Sequence, residues 1–447
     1  MIRIKEKLSW LTAHAFVRKA VTMQIAGGAA SVIQSLAGVI LARVLKPDLF
    51  GQYSLAFSIA SVASIALASG FQDALMPVIA RGHSRGDAGE ILTGFAYWAK
   101  WIGVSVVFVI LVVIFLPLVT TNLYGNAAIG AFAGVILAAS LVSSSILSVT
   151  QVAAQVVGRI NVLALLTLSD MLVRYIVAVV LTIGGLSVLG ASIGHLIGAL
   201  IMAVTVIPIF VWVRSSDRFI PTLRSIVLRA RSIPWRIHFS RGAWVWLDRN
   251  FGMLYQALPI AIVGLYVPIA NVAFFKLAFG YLNTGMAVLG PVSILLNTEF
   301  ARVQVTSPER LRSAFIRVSL MGMVIAGAVT AFAALVGHWV FLLLYGRVYM
   351  DGVPLVYGLI LYGVIFGLGI GLGPMWRALN RVRVSVMINL FVLGIGVPLG
   401  LWLVHRFGTW GGVAMVTLWY GAAHLGSFIY LLRELRKESG KIVQVVI

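Results

Sequence analysis

Six charged residues stand inside stretches otherwise built from apolar side chains: Asp73, Asp170, Arg174, Asp248, Arg249 and Lys276. The seven histidines show no HExxH pair or similar ligand spacing, so no metal site is assigned. Cysteine is absent, which removes disulfides and thiolate metal sites. What the six residues can do is hold and move charge. Asp170 precedes Arg174 by four positions, acid first, so on a helix the two share a face and can pair. Asp248 and Arg249 are adjacent, and adjacent side chains diverge by about 100° around a helix. One contact patch cannot serve both, so at least one of them points into a cavity. Arginine is the more telling type, because its planar fork stays charged at any depth and grips two oxygens of a diphosphate at once.

The stretches that carry these residues are long and apolar. They read as spans over 20–42, 50–79, 93–119, 127–154, 161–184, 188–213, 239–265, 270–297, 314–344, 353–376, 384–404 and 411–432. A crossing helix needs roughly 20 mostly apolar residues, and composition agrees: 61% hydrophobic, 11% charged, mean hydropathy +1.03. A charge facing lipid at the bilayer centre costs roughly 2.5–3.5 kcal/mol, so six would cost on the order of 15–20 kcal/mol, more than a typical domain's whole stability. They must therefore face each other, the protein interior or water. Arg249 sits about nine residues into its span, roughly 14 Å deep at ~1.5 Å per residue. Asp73 lies nearer the inner end of the second span. Lys276 lies nearer the outer face, where snorkelling competes with a buried role. Lys100, flanked by Trp98 and Trp101, reads as an interfacial anchor.

The net charge of +21 suggests nucleic acid at first sight, and topology decides against it. Of the 34 Lys and Arg, four lie in spans (Lys100, Arg174, Arg249, Lys276) and four in one set of loops (Arg43, Lys46, Arg347, Arg406). The other 26 lie in the N-terminal arm, the alternate loops with the span ends that adjoin them (Arg241 and Arg317), and the tail. That asymmetry is a positive-inside pattern. It places both termini in the cytoplasm and accounts for the charge without nucleic acid. The longest polar stretch is Arg214–Arg241, too short for a nucleotide-binding domain, and no GxxxxGK[ST] loop is present. No cofactor is expected, and the chain reads as a transporter and not an enzyme.

The expected fold is an all-α polytopic membrane protein of about 12 transmembrane helices, in two six-helix bundles around a central cavity. The expected order is a cytoplasmic arm (1–19), an N-terminal bundle (20–213), a basic linker (214–238), a C-terminal bundle (239–432) and a cytoplasmic tail (433–447). The apolar run after the arm is too long for a cleaved signal peptide. Residues Ile4–Phe16 and Leu223–Ile233 read as interfacial segments, the second with Arg224, Arg229 and Arg231 toward anionic headgroups. Leu45–Phe57 can be laid on Val267–Phe279, with Tyr53 against Phe275 and a shared Leu-Ala-Phe ending, so an internal repeat is expected. Glycines 363, 367, 369, 371 and 373 resemble a dinucleotide loop, but they fall within a span and read as helix-packing positions. Pro259, Pro291 and Pro374 are kinks, static or hinged.

The segment Leu41–Arg81 resembles the first-loop and second-span signature of the polysaccharide-transport branch of the multidrug/oligosaccharidyl-lipid/polysaccharide exporter superfamily. The matching residues are Leu41, Ala42, Arg43, Leu45, Pro47, Phe50, Gly51, Tyr53, Gly70 and Arg81. Asp248-Arg249 is similar to that family's recurrent acidic-Arg position in the seventh span. Lys46 departs from the pattern, which usually has glycine there, and Ala273 stands where the repeat would have glycine.

The resemblance implies a Wzx-type flippase of the bacterial inner membrane. Such a protein moves polyprenyl-diphosphate-linked oligosaccharide across the bilayer by alternating access, for exopolysaccharide, capsule or O-antigen synthesis. On that reading Arg249 and Arg174 hold the diphosphate, Lys276 and Arg43 help near the outer mouth, and Asp248, Asp170 and Asp73 couple to an ion gradient. Its partners would be the lipid-linked oligosaccharide and membrane lipids, with a polysaccharide polymerase and glycosyltransferases nearby. The alternative within the superfamily is a cation-coupled drug antiporter, which favours an acid-rich, aromatic-lined cavity. A scaffold or channel is disfavoured, because no repeated Arg ladder or selectivity-filter motif appears and a scaffold has little reason to keep mid-membrane Asp-Arg groups.

Overall fold

The computed structural model describes residues 15–67, 72–234 and 236–446. Residues 1–14 of the interfacial arm and Gly70 of the signature lie outside them, as does the side chain of Asp73. Among the described residues the protein is helical throughout, with no strand. Eight helical stretches are long and apolar enough to cross a membrane. Three of them continue from one expected span into the next through a backbone break, at Lys46, at Gly185–Ser187 and at Gly408. Each break falls on a short loop that the hydropathy places between consecutive spans. The loops there are so tight that the helix resumes within a few residues.

The chain divides into two compact units. Unit 1 holds residues 1–45 and 59–246, and unit 2 holds residues 46–58 and 247–447. Unit 1 thus runs past the basic linker to Trp246, and the start of the second span is grouped with unit 2.

Unit 1 contains most of α1 (Ala15–Ala63), then α2 (Gln72–Arg85), α3 (Ala88–Tyr124), α4 (Ala127–Val142), α5 (Ser148–Val156), α6 (Ile160–Leu181), α7 (Ser187–Ser215) and α8 (Leu223–Ser232). Asp87 caps α3, its carboxylate accepting from the Gly89 and Glu90 N–H groups at 2.9 and 3.0 Å. On α3, Phe95, Tyr97 and Trp98 are buried with Phe210 and Val213 of α7 and Ile226 and Ala230 of α8. The expected amphipathic segment is therefore a helix docked by one face. Its other face presents Arg224, Val227, Leu228 and Arg231 to the surroundings. Lys100, read as an interfacial anchor, also makes a defined contact. Its Nζ donates to the Ile233 carbonyl at 2.6 Å and ties α3 to the end of α8.

A second tie joins α2 to the linker. His83 Nε2 lies 2.6 Å from Asp217 Oδ2, and the Phe219 N–H donates to Asp217 Oδ1 at 2.9 Å. Burial pushes the Asp217 carboxyl up, but hydrogen bonds from His83 and Phe219 and the positive charges of His83 and Arg218 outweigh it, so it titrates below its ordinary range. A carboxylate held low in the folded state stabilises above its unfolded pKa of about 4, and that stability is lost as pH falls through the folded value. Amide exchange over Ser216–Thr222 is expected to rise once the pH drops below about 4. A rate that is flat, after correction for intrinsic exchange, from pH 6 to pH 3 contradicts this.

Unit 2 continues with α9 (Arg236–Gly264, from Leu247 on), α10 (Ile269–Met286), α11 (Gly290–Thr306), α12 (Pro308–Val340), α13 (Val353–Gly358), α14 (Ile360–Leu368), α15 (Leu372–Ala378) and α16 (Val382–Val446). The glycine-rich run is a packing surface, as its place in a span implies. A Cβ on Gly367 would lie 2.3 Å from the Gly322 carbonyl oxygen, and one on Gly322 would lie 2.4 Å from the Gly367 carbonyl oxygen. α12 and α14 therefore touch backbone to backbone. The spans read as 50–79, 270–297 and 353–376 are each interrupted, by tight 3-10 turns at Ser64–Ala66, Ala287–Leu289 and Gly369–Gly371. Hydropathy does not register such breaks, because the apolar composition runs straight through them.

The internal echo extends beyond the sequence match. Tyr124 follows Tyr53 by 71 residues, and Tyr345 follows Phe275 by 70. Each of these later tyrosines sits in a Leu-Tyr-Gly whose glycine has positive φ (67° at Gly125, 93° at Gly346) and ends a long helix. Ser187 and Gly408 adopt nearly the same backbone, φ 52°, ψ −137° and φ 57°, ψ −133°. The two halves thus break at matching points.

Lys46 marks the equivalent strain near the start of the repeat. It has φ 58° and ψ 172°, a conformation that suits glycine and costs other residues roughly 1–3 kcal/mol. This is the physical reason for the glycine usual at that position. Lys46→Gly is expected to stabilise the protein by about 1 kcal/mol after the entropy cost of glycine. A thermal midpoint that falls in the variant contradicts the strain.

Candidate functional site

Two polar constellations are built into the apolar framework, one in each unit. In unit 1, α7 lies close enough to α6 to set the position of Arg174. A Cβ on Gly198 would come within 2.5 Å of the Arg174 Cα, and one on Gly194 within 2.3 Å of the Ala178 Cα. Arg174 Nη2 donates to Asp170 Oδ2, and Ser143 Oγ donates to Asp170 Oδ1 at 3.4 Å. Ser143 opens a π-helical turn, Ser143–Leu147, which separates α4 from α5. The neighbouring Tyr175 shares a side-chain hydrogen bond with Gln34 of α1 and meets buried His195 edge-on at 5.0 Å. Both carboxylate oxygens of Asp170 are therefore engaged, and its charge is met by Arg174. The i, i+4 spacing anticipates this pair.

In unit 2, four helices line a cavity of about 340 Å³. α9 contributes Asp248, Phe251, Gly252 and Tyr255, spaced i, i+3, i+4, i+7 on one face. α16 contributes Ser385 and Asn389, and further along Tyr420, Ala423, His424 and Ser427, again on one face. α14 adds Phe366, and α15 adds Trp376 and Arg377. Ser385 Oγ donates to Asp248 Oδ1 at 3.2 Å, and Asn389 Nδ2 donates to the Ser385 carbonyl at 2.9 Å. Arg377 Nη1 donates to Asn297 Oδ1 at 2.9 Å.

A phenol relay backs this wall. Tyr362 donates to Asn283 Oδ1 at 2.5 Å, which leaves Tyr420 to donate to the Tyr362 oxygen. His424 Nδ1 lies 3.1 Å from the Ile365 carbonyl. A carbonyl only accepts, so Nδ1 carries the proton and, in neutral imidazole, Nε2 is an acceptor. The rings of Tyr255 and Tyr420 lie 5.1 Å apart, and those of Tyr420 and His424 lie 5.4 Å apart.

The residues singled out in the sequence fall into three environments. Asp170 and Arg174 form the unit 1 pair. Asp248 lines the unit 2 cavity with Ser385 as its partner, while Arg249 is exposed. Arg43 is exposed on α1 and Lys276 is half-buried on α10. Asp73 belongs to α2. Sequence reasoning missed Tyr255, Arg377, Ser385, Asn389, Tyr420 and His424. The signal was the helical spacing of polar and aromatic residues around Asp248 and around Tyr420.

The sequence profile described as polysaccharide biosynthesis protein matches residues 40–354. No curated protein matches the chain. Among solved structures, it is similar to an inward-facing multidrug resistance MATE family transporter of the MOP superfamily. That match has TM-score 0.73 and 18% identity, and covers 91% of this chain and 96% of that one. The eukaryotic MATE transporter AtDTX14 is similar with TM-score 0.63 and 16% identity, over 95% and 100% of the two chains. A MOP superfamily transporter from Pyrococcus furiosus, whose reversed pocket polarity suggests a different function, is similar with TM-score 0.64 and 18% identity, over 94% and 96%. The fold is thus that of MATE-like transporters.

Proposed function

The chain belongs to the polysaccharide biosynthesis protein family, and from that membership we propose that it is a flippase for polyprenyl-diphosphate-linked oligosaccharides in a bacterial inner membrane. The observation that carries the reading is architectural. A family concerned with polysaccharide synthesis here has almost nothing but membrane helices, and its longest polar stretch, Arg214–Arg241, is too short to be a catalytic domain. The step left to such a chain is moving a lipid-borne intermediate for exopolysaccharide, capsule or O-antigen synthesis. Desolvating the diphosphate is the main barrier, and fixed guanidinium groups lower it.

In this reading exposed Arg249 and Arg43 receive phosphate oxygens, with Lys276 in support. Arg174 is neutralised by Asp170 at rest. A proton or other cation arriving at Asp170 weakens the pair and releases the guanidinium for a phosphate, which joins ion coupling to substrate capture. Asp248 and Asp73 are the further coupling groups. Alternating access moves the headgroup while the polyprenyl tail stays in lipid. Glycosyltransferases supply the substrate and a polymerase consumes it. The drug-antiporter alternative calls for an acid-rich cavity, whereas the unit 2 cavity sets one arginine beside its one acid.

A host strain deleted for the gene tests the proposal. Reintroducing the gene is expected to restore surface glycan and leave drug susceptibility unchanged. Restored drug resistance without glycan overturns it.

A further inference from the structure

The unit 2 cavity contains a group that nothing in the fold uses. Tyr255 is 5% exposed and contributes to the cavity wall, and its hydroxyl, closed to solvent in this conformation, has no hydrogen-bond partner among the described residues. An unpartnered buried hydroxyl costs about 1–3 kcal/mol, and native proteins keep such groups where a ligand or ordered water completes them. The rest of the lining says what kind of ligand. Among the described residues, Asp248 has one oxygen taken by Ser385 and one not, Asn389 keeps its side-chain carbonyl, and His424 offers Nε2 as an acceptor. With Tyr255 as donor, the wall offers donors and acceptors together, the pattern that matches hydroxyl groups, which are both at once. Phe251, Phe366 and Trp376 add apolar aromatic surface. The charge of Asp248 is opposed by Arg377 in the same wall, so the cavity does not select a charged organic ligand of either sign. At about 340 Å³ it lies at the small end of ligand-sized cavities, roughly 300–1,000 Å³.

We propose that this cavity is a sugar-reading subsite that takes one uncharged pyranose of the substrate, with the Tyr255 hydroxyl and Asp248 carboxylate hydrogen-bonding adjacent hydroxyls against the aromatic wall. The proposal deepens the flippase reading and rests on it for its biological meaning, while the binding itself is measurable apart from transport. A wall that hydrogen-bonds hydroxyls rejects an analogue lacking them, because its own buried groups are then left unpaired. The subsite therefore contributes selectivity among glycans, and the diphosphate, common to all such substrates, contributes none.

Saturation-transfer NMR on the purified full-length protein provides the test. The probes are the methyl glycosides of glucose, galactose, mannose, rhamnose, N-acetylglucosamine and glucuronic acid, with tetramethylammonium as a cation control. At least one neutral glycoside is expected to bind, with no displacement by tetramethylammonium and weaker binding of glucuronate. Tyr255→Phe is expected to raise its Kd roughly tenfold, the loss of one hydrogen bond. The same variant should melt no lower than wild type, since it deletes an unpartnered group; a merely structural tyrosine would lower the midpoint. Binding by none of the neutral glycosides, displacement by tetramethylammonium, or an unchanged Kd in Tyr255→Phe overturns the subsite. Transport of lipid-linked oligosaccharide in the face of any of these results leaves the flippase reading standing and removes the subsite alone.

Discussion

Cells whose only copy carries Arg249→Ala are expected to lose surface glycan, with the protein still present in the membrane at wild-type level. A guanidinium on a diphosphate makes two charge-assisted hydrogen bonds, each worth about 1.5–3 kcal/mol, so removing both lowers transport by a hundredfold or more. The side chain is exposed, so its truncation leaves no buried charge or cavity behind and the protein is expected to stay folded. Arg249→Lys separates charge from shape: a lysine keeps the charge and loses the fork, so partial glycan export is expected. Glycan staining against an immunoblot of the membrane fraction reads both quantities. Wild-type glycan in Arg249→Ala removes this residue from the substrate path.

The second large effect falls on the unit 1 pair. Asp170→Ala leaves the Arg174 charge buried without its partner, and breaking a buried pair from one side costs about 3–5 kcal/mol. The protein is expected to be poorly recovered from membranes. The double substitution Asp170→Leu with Arg174→Met removes both charges and fills similar volume, so it is expected to recover most of the stability. Glycan export then separates two roles. A pair that only fixes α6 in place lets the stable double variant export glycan, whereas a pair that opens to bind phosphate leaves it inactive. The proposed coupling predicts the inactive outcome. Asp170→Asn, which imitates a neutralised carboxyl, is expected to uncouple export from the ion gradient with a smaller loss of stability.

Much of this architecture is legible in the chain because it follows from local rules. Span ends show in hydropathy, and the tight turns at Lys46, Ser187 and Gly408 coincide with them. The Asp170–Arg174 pair shows in its i, i+4 spacing. The packing role of Gly363 and Gly367 follows from their place inside a span. What local rules miss is convergence. The cavity takes residues from α9, α14, α15 and both ends of a long α16 region, and no spacing along the chain announces that Ser385 meets Asp248, 137 positions away. Arg377 follows directly on the span read as 353–376, and only the folded unit sets it in one wall with Asp248. The breaks at Ser64–Ala66 and Gly369–Gly371 were also hidden, because 3-10 turns change direction without changing hydropathy.

The central claim is tested most directly with purified protein in unilamellar vesicles. A fluorescent polyprenyl-diphosphate oligosaccharide is distributed over both leaflets, and outward movement of the inner-leaflet half is followed by cleavage with an added membrane-impermeant glycosidase. The account predicts that cleavable substrate rises from one half of the pool toward all of it in wild-type vesicles and stays at half with Arg249→Ala. Movement of a drug cation with none of the oligosaccharide contradicts it, as does equal oligosaccharide movement in protein-free vesicles.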